Sequence, residues 1–428
     1  DDGEMLTDSW VDDEYYVGED GAMLVNTWKK TLSDEDMDDP EDDGEAWYYF
    51  GSKGKKTTSD SKKINGKTYF FDDDGKMRDG WYQDGTDVYY LGDEDDGARA
   101  SGWLWLEVPE EEDVDVNGHA DDNDICDEEG WYYFGSNGKM YKDAAKKKIN
   151  GKYYYFNEHG QMLYEWINGG KVTLGSNAQL DGNNIGTASP ADMLYTNVVE
   201  EGWRADGWYE IDGSEDLETN NDTDWYYFKN GDDKSGLTGP EVTDDGDTVY
   251  RARIKVEGKY FCFNEKGQMQ TGLQFIPAQN AFYYFDDKGY MKTGKMSSVE
   301  EENDSFTYYF QTKNGGNGKG INGENSGYLY WNGKRLEADD DYRIYEIGSD
   351  YYLVNSKGKL QKSTSKKYDV ENDNTEDVTF TFTGYKITGA KEADGSDYDY
   401  TSNPSTPKIE LYDNVFTVDG TGATIVQQ

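Results

Sequence analysis

The residues whose types and spacing suggest chemistry lie in one acidic stretch. Asp113, Asp115, Asn117, His119, Asp121 and Asp124 fall within a segment reading Asp-x-Asp-x-Asn-Gly. In that pattern alternate oxygens converge on one hard cation, and Gly118 permits the sharp turn. Calcium is the ion such a set would take. The twelfth position is Asp124 rather than a bidentate Glu, and no helices are evident on either side. In a chain with 89 acidic residues, a solvated acidic loop is the competing reading. Catalytic constellations are missing. There is no His-Glu-x-x-His, no Gly-x-Ser-x-Gly and no phosphate loop, and the two histidines, His119 and His159, sit in turn-like settings. Carboxylates crowd the turns with nothing beside them to raise one member of a pair, as glycoside hydrolysis requires. The chain reads as non-catalytic. What remains is rings: 37 Tyr, 16 Phe and 12 Trp. Their faces can stack on a cation or on the apolar face of a pyranose while nearby Asp, Asn and Lys bond its hydroxyls.

Elements that could hold those rings must be thin. Of 428 residues only 34% are hydrophobic and 31% are charged, which argues against one large aliphatic core. Disorder is the default for so acidic a composition, but disordered segments are poor in aromatics and this chain is rich in them. Lys and Arg number 42 against 89 acidic residues, a net charge of −47. That charge repels nucleic acid and anionic lipid, and no basic stripe offsets it. No apolar run approaches the ~20 residues that span a bilayer, so membrane insertion is not expected. Cys126 and Cys262 cannot build a disulfide framework and are either paired or free. No signal peptide opens the chain. Its first residues, Asp1 to Leu6, resemble the second half of a repeat, and the expectation is a mature portion or a fragment of something longer.

Self-similarity sets the fold. The unit is an aromatic triplet, a polar turn, Gly, one variable residue, then Met or Leu. It reads Tyr48-Tyr49-Phe50 to Gly54, Tyr69-Phe70-Phe71 to Gly75 and Met77, and Tyr132-Tyr133-Phe134 to Gly138 and Met140. It returns as Tyr154-Tyr155-Phe156 to Gly160 and Met162, Phe261-Cys262-Phe263 to Gly267 and Met269, and Tyr283-Tyr284-Phe285 to Gly289 and Met291. Weaker copies start at Tyr15, Tyr89, Tyr226, Tyr308 and Tyr351. From Phe50 to Phe71 is 21 residues, and from Phe134 to Phe156 is 22. An alternating strand, a turn whose Gly takes positive φ and a second short strand make a β-hairpin. A lone hairpin is marginal in water, so the units must stack on one another.

The units also group in pairs. A first hairpin opens with Trp, carries an acidic insertion and resumes at Trp. A second opens with Lys-Ile-Asn-Gly-Lys or a relative of it. Trp28 and Trp47 precede Lys63 to Lys67, Trp103 and Trp131 precede Lys148 to Lys152, and Trp208 and Trp225 precede Lys255 to Lys259. Residues 167 to 207 break the pattern, and Ser189-Pro190-Ala191-Asp192 would cap a short helix there. After Leu360 the pattern stops, and alternating segments such as Val378 to Phe382 follow.

Strings such as Gly130-Trp131-Tyr132-Tyr133-Phe134-Gly135-Ser136-Asn137-Gly138-Lys139-Met140 resemble the cell-wall-binding repeats of Gram-positive bacteria. That superfamily includes choline-binding repeats, the glucan-binding repeats of streptococcal glucosyltransferases and the repetitive oligopeptides of clostridial toxins. The resemblance covers roughly residues 1 to 360. It implies that a ligand sits between consecutive hairpins, held by two Trp of one repeat and an aromatic of the next. A quaternary ammonium is drawn to each ring face by about 0.5–2 kcal/mol. Carried onto this chain, the cages are Trp28, Trp47 and Tyr69; Trp103, Trp131 and Tyr154; and Trp208, Trp225 and Phe261. A fourth module has Lys295 where the opening Trp would stand and Phe306 or Thr307 near the second, so no cage is expected. The insertions Asp34 to Glu45 and Glu107 to Glu129 depart from the compact family pattern. For any ring of the triplets, inter-hairpin core is the competing role.

The sequence therefore predicts an all-β protein. Residues 1–365 form a β-solenoid of stacked hairpin repeats of about twenty residues, with acidic loop insertions and an irregular insertion at 167–207. Residues 366–428 form a small β cap or the start of a separate domain. The expected function is extracellular, at the cell surface or cell wall: a module anchoring a larger secreted protein to a choline-bearing or glucan-like polymer. Two alternatives are a spacer or adhesin that binds a host protein, and the targeting part of a wall hydrolase.

Overall fold

Alternation of aromatic and polar residues, with a glycine turn every twenty or so residues, produces antiparallel hairpins throughout. The computed structural model describes residues 3–38, 44–59, 61–107, 114–117, 129–167, 193–215, 217, 219, 222–229, 232–233, 251–312, 318–418 and 425–427. Among these the regular elements are strands, with single-turn helices at Asp36–Asp38 and Pro277–Gln279. The fold is all-β, as expected. The chain divides into two compact units, Asp1–Gly186 with Leu194–Arg204, and Thr187–Met193 with Ala205–Gln428.

The first unit holds seven hairpins among the described residues. Their strand pairs are Ser9–Val11 with Tyr15–Val17, Thr27–Thr31 with Ala46–Phe50, Ser61–Ile64 with Lys67–Phe70, and Trp81–Asp84 with Asp87–Tyr90. Then come Gly102–Leu106 with Gly130–Phe134, Ala144–Ile149 with Lys152–Phe156, and Trp166–Ile167 with Leu194–Tyr195. The seventh lies, but for Trp166, inside the stretch read as irregular; its two-residue strands have no aromatic triplet to announce them. The proposed cap at Ser189 lies outside the described residues. In sequence the two acidic insertions fall between the strands of the second and of the fifth hairpin. The second unit holds hairpins eight to thirteen. They are Gly207–Ile211 with Asp224–Lys229, Arg251–Val256 with Lys259–Asn264, Gly272–Ile276 with Ala281–Phe285, Gly294–Glu300 with Ser305–Phe310, Gly323–Asn325 with Tyr328–Trp331, and Tyr342–Ile347 with Asp350–Asn355.

Within a unit, strand pleating explains the triplet. Successive side chains alternate faces, so the first and third rings turn back to the preceding hairpin and the middle ring turns forward. Tyr48 and Phe50 pack with Trp10 and Tyr16 of the first hairpin, whereas Tyr49 packs with Ile64 and Phe71 of the third. Tyr132 and Phe134 likewise join Trp81 and Val88 behind them, and Tyr133 joins Tyr154 and Phe156 ahead. Cys262 holds a middle position. It packs forward with Tyr283 and Phe285 as a free, buried thiol, and burial pushes its pKa up to about 12. Cys126 lies outside the described residues.

The turn glycine has two duties. Gly54 has φ +77°, and a Cβ there would also lie 2.5 Å from Met23 Sδ of the preceding repeat. At Gly160, φ +86°, the obstacle is Met140 Cε at 2.5 Å. Where a repeat carries Met at this position, it tucks under the glycine of the next turn; at Gly75 and Gly138 the Lys56 and Arg99 side chains take that place. One backbone bond also ties each tail to the hairpin before it. Met77 N donates to Trp47 O at 2.8 Å, Met162 N to Trp131 O at 2.8 Å, and Met291 N to Tyr260 O at 3.0 Å.

The segment after Leu360 does not stand alone. Tyr368–Val370, Thr375–Thr383 and Lys386–Lys391 close with both strands of the thirteenth hairpin into a five-stranded barrel. Its interior is filled by Ile344, Leu353, Tyr368, Val378 and Phe380. Strands Ile409–Leu411 and Asn414–Val418 then return to the tenth hairpin, where Phe416 packs on Phe275 and Phe282 at 4.9 and 5.2 Å.

Candidate functional site

Strand register places the paired tryptophans. In the second hairpin Trp28 stands opposite Tyr49 and Lys30 opposite Trp47, and all four lie on the face turned to the third hairpin. Trp28 is the hub. Its ring centroid is 4.9 Å from Tyr69, 5.1 Å from Tyr49, 6.5 Å from Trp47 at 88°, and 5.7 Å from Phe71 in a stacked pose. Trp28, Trp47 and Tyr69 are all half-buried around Ile64, Phe71 and Met77. Trp47 Nε1 donates to Asp95 Oδ1 at 2.9 Å, and Lys30 Nζ reaches the same oxygen at 3.0 Å. The indole N–H and then the ammonium hold this exposed carboxyl below its ordinary pKa.

The second cluster repeats this register, with Trp103 opposite Tyr133 and Trp105 opposite Trp131. Trp103 lies 4.8 Å from Tyr154 and 5.7 Å from Phe156, and Trp131 packs on the same group. Trp105, 44% exposed, meets Trp131 edge-on at 5.7 Å. Sequence reading passed over Trp105, although its register opposite Trp131 could have flagged it. In the third cluster Trp208 lies 4.7 Å from Phe261 and 5.9 Å from Phe263. Trp225 is 41% exposed and does not join Phe261 and Phe263 in the core. Its cross-strand neighbour is Glu210. At the fourth module Lys295 pairs with Tyr309 in the register position of Trp28, so the tryptophan hub is missing there.

The clusters involve a third hairpin that pairwise grouping of the repeats did not include. The residue following the turn glycine of the hairpin after next reaches the group: Trp203 packs on the second cluster and Tyr290 on the third. In the first, the same position after Gly97 is Ala98. The tails arrive there because Arg99 N donates to Thr68 O, Arg204 N to Tyr153 O and Met291 N to Tyr260 O, at 2.8, 2.8 and 3.0 Å. Trp203 belongs to the seventh hairpin, the one without a sequence signature.

Of the calcium set, Asp113, His119, Asp121 and Asp124 lie outside the described residues. Asp115 and Asn117 fall on strand Val114–Asn117, which pairs in parallel with Trp81–Asp84. His159 occupies a buried turn position. Among the described residues no group of three or more His, Cys, Asp or Glu is placed to hold a metal.

Comparison with known proteins gives the following. Models of choline-binding repeats match residues 1–29, 57–103 and 126–165, and a model of cell wall binding repeats matches 41–56 and 271–291. Glucosyltransferase-I of Streptococcus downei is 26% identical over 272 residues, 55% of this chain and 16% of that protein. Glucosyltransferase-S of Streptococcus mutans serotype c is 26% identical over 259 residues, 56% of this chain and 15% of that one. The chain thus spans a small part of the curated relatives it matches. Among solved structures, choline binding protein F of Streptococcus pneumoniae aligns with TM-score 0.41 and 20% identity, covering 77% of this chain and 98% of that one.

Proposed function

We propose that this chain, which belongs to the cell-wall-binding repeat superfamily, is a non-catalytic module holding a larger secreted protein on a Gram-positive cell wall or surface glycan. The observation that carries the reading is the recurrent cluster in which half-buried Trp28, Trp47 and Tyr69, and again half-buried Trp103 and Trp131 with buried Tyr154, meet between hairpins. Rings buried on one side and wet on the other give a ligand an apolar platform without a deep cavity, and indole N–H groups supply a polar handle. The matched repeat models bring forward choline-bearing polymers, whose quaternary ammonium suits ring faces. Glucan-like chains are the second ligand class, since a pyranose stacks on the same surfaces. Residence outside the cell follows from either ligand.

The test is tryptophan fluorescence of the chain titrated with choline and, separately, with soluble glucan oligosaccharides, beside Trp47→Ala and Trp131→Ala. A saturable change that the substitutions remove is the expected result, and the ligand producing it names the class. No change with either ligand, in protein shown to be folded by circular dichroism, would assign the rings to core packing and overturn the reading.

A further inference from the structure

The three clusters are alike in their tryptophan hub and unlike in the charge set against it. Lys67, Lys152 and Lys259 each stand two residues before a cluster ring, Tyr69, Tyr154 and Phe261, and so share its strand face. In the third cluster Lys259 Nζ lies 3.6 Å from the centroid of Tyr290, whose ring meets Phe261 at 5.4 Å. In the second, Lys152 Nζ lies over Trp203, the ring packed beside Trp103, Trp131 and Tyr154. Both clusters therefore have an ammonium of the chain's own on the aromatic surface. The first cluster has Ala98 in place of that ring, and Lys67 turns to Asp96 at 2.9 Å. A second carboxylate, Asp95, stands at the edge of Trp47 and holds Lys30 Nζ at 3.0 Å, so Lys30 and Lys67 are both drawn to carboxylates and not set over a ring.

From this difference we infer that Lys152 and Lys259 are specificity-determining residues that disfavour a quaternary ammonium at the second and third clusters, leaving the first as the chain's cation-accepting site. The inference rests on the binding reading above. A ligand cation reaching Trp203 or Tyr290 must displace an ammonium already attracted to that ring face, or tolerate it as a neighbour of like charge. Lysine in turn brings three hydrogen-bond donors and no acceptor. The second and third clusters are thereby suited to hydroxyl-bearing sugar, and the first, whose Lys30 and Lys67 are held off its rings by Asp95 and Asp96, to the cation. Both lysines are solvent-exposed, so the discrimination is a matter of affinity rather than a steric block.

Calorimetric titration of the full chain with choline, at constant ionic strength, tests this. The wild-type chain should show one choline site, lost in Trp28→Ala, with the other clusters at least about tenfold weaker. Lys152→Met with Lys259→Met should raise the number of sites of that affinity above one, with the second cluster gaining more than the third, where Trp225 stands apart, and Lys152→Arg with Lys259→Arg should leave it at one. Three equal sites in the wild type, or an unchanged count in the double Met variant, would overturn the inference, as would choline binding untouched by Trp28→Ala. Glucan oligosaccharide titrated into the same samples separates the two levels. Binding of glucan with no choline binding in any variant defeats the inference and leaves the module reading intact. Failure of both ligands in every folded variant defeats both.

Discussion

The first unit and the end of the second are built from the same hairpins but hold together differently. In the first unit each buried cluster is shared by two neighbouring hairpins, joined at the second tryptophan cluster by Trp203 of a third: Trp10, Tyr16, Tyr48 and Phe50 form one, and Tyr49, Ile64, Phe71 and Met77 the next. From the tenth hairpin onward a single cluster runs from Leu273 and Phe275 through Val299, Tyr308, Leu329, Trp331 and Val354 to Ile409 and Phe416. That end of the chain also buries an ion pair. The Glu301 and Lys334 side chains, 2% and 11% exposed, meet at 2.8 Å, and Glu301 also accepts from Tyr308 Oη at 2.6 Å and Glu410 N at 2.9 Å. Repeats whose cores are pairwise can tolerate a hairpin as degenerate as the seventh. A continuous core cannot, and its residues are tied across more than a hundred positions of sequence.

The strongest way to break this contrast is Glu301→Ala. It leaves the buried Lys334 ammonium uncompensated, and burial already pulls that lysine's pKa down. The expected loss is about 3–5 kcal/mol, read in urea as a lower midpoint for the second unit's transition with the first unit unmoved. Ile149→Ala, at 4% exposure in the second cluster, should cost about 2–3 kcal/mol. By hydrogen exchange the loosening should stay within the fifth to seventh hairpins, because stability in such arrays is a sum of nearest-neighbour interfaces. Spread of the effect through the whole unit would show that the pairwise clusters are coupled.

A smaller effect tests the stacking contact itself. Gly54→Ala sets a Cβ against Met23 in a left-handed turn and should cost about 1–2 kcal/mol from the backbone alone, plus the steric clash. Adding Met23→Ala should recover the clash and leave the backbone cost, which a double-mutant cycle separates. The mildest expectation concerns alkali. Burial pushes the Tyr283 phenol up to about 12 and raises those of Tyr308, Tyr345 and Tyr412 as well. An unfolded tyrosine ionises near pH ~10. Between that pH and the folded values the native state binds more protons than the unfolded one, so stability present below pH ~10 falls as pH rises. Thermal melts from pH 9 to 12, with phenolate absorbance at 295 nm, should show ionisation arriving together with unfolding. Lys334 acts in the opposite sense, but it is one group against several.

Much of this is legible in the sequence. The twenty-residue period, the hairpins, the turn glycines and the pairing of Trp28 with Trp47 and of Trp103 with Trp131 follow from local pattern, because pleating has a period of two and positive φ favours glycine. The weak copies at Tyr15, Tyr89, Tyr226, Tyr308 and Tyr351 all proved to be second strands of hairpins. Three-dimensional packing alone decided which rings share a cluster. Trp225 stands exposed and apart from Phe261 and Phe263, and Trp203 gained a place through a hairpin with no triplet to reveal it. The glycine turns owe as much to the methionine beneath them as to φ, and that contact links neighbouring repeats. Closure of the barrel around the thirteenth hairpin and the return of Phe416 to Phe275 are likewise beyond local pattern. Alternation and turn chemistry act within one hairpin and are written in consecutive residues. The sites and the C-terminal core depend on surfaces that meet only after the hairpins have stacked.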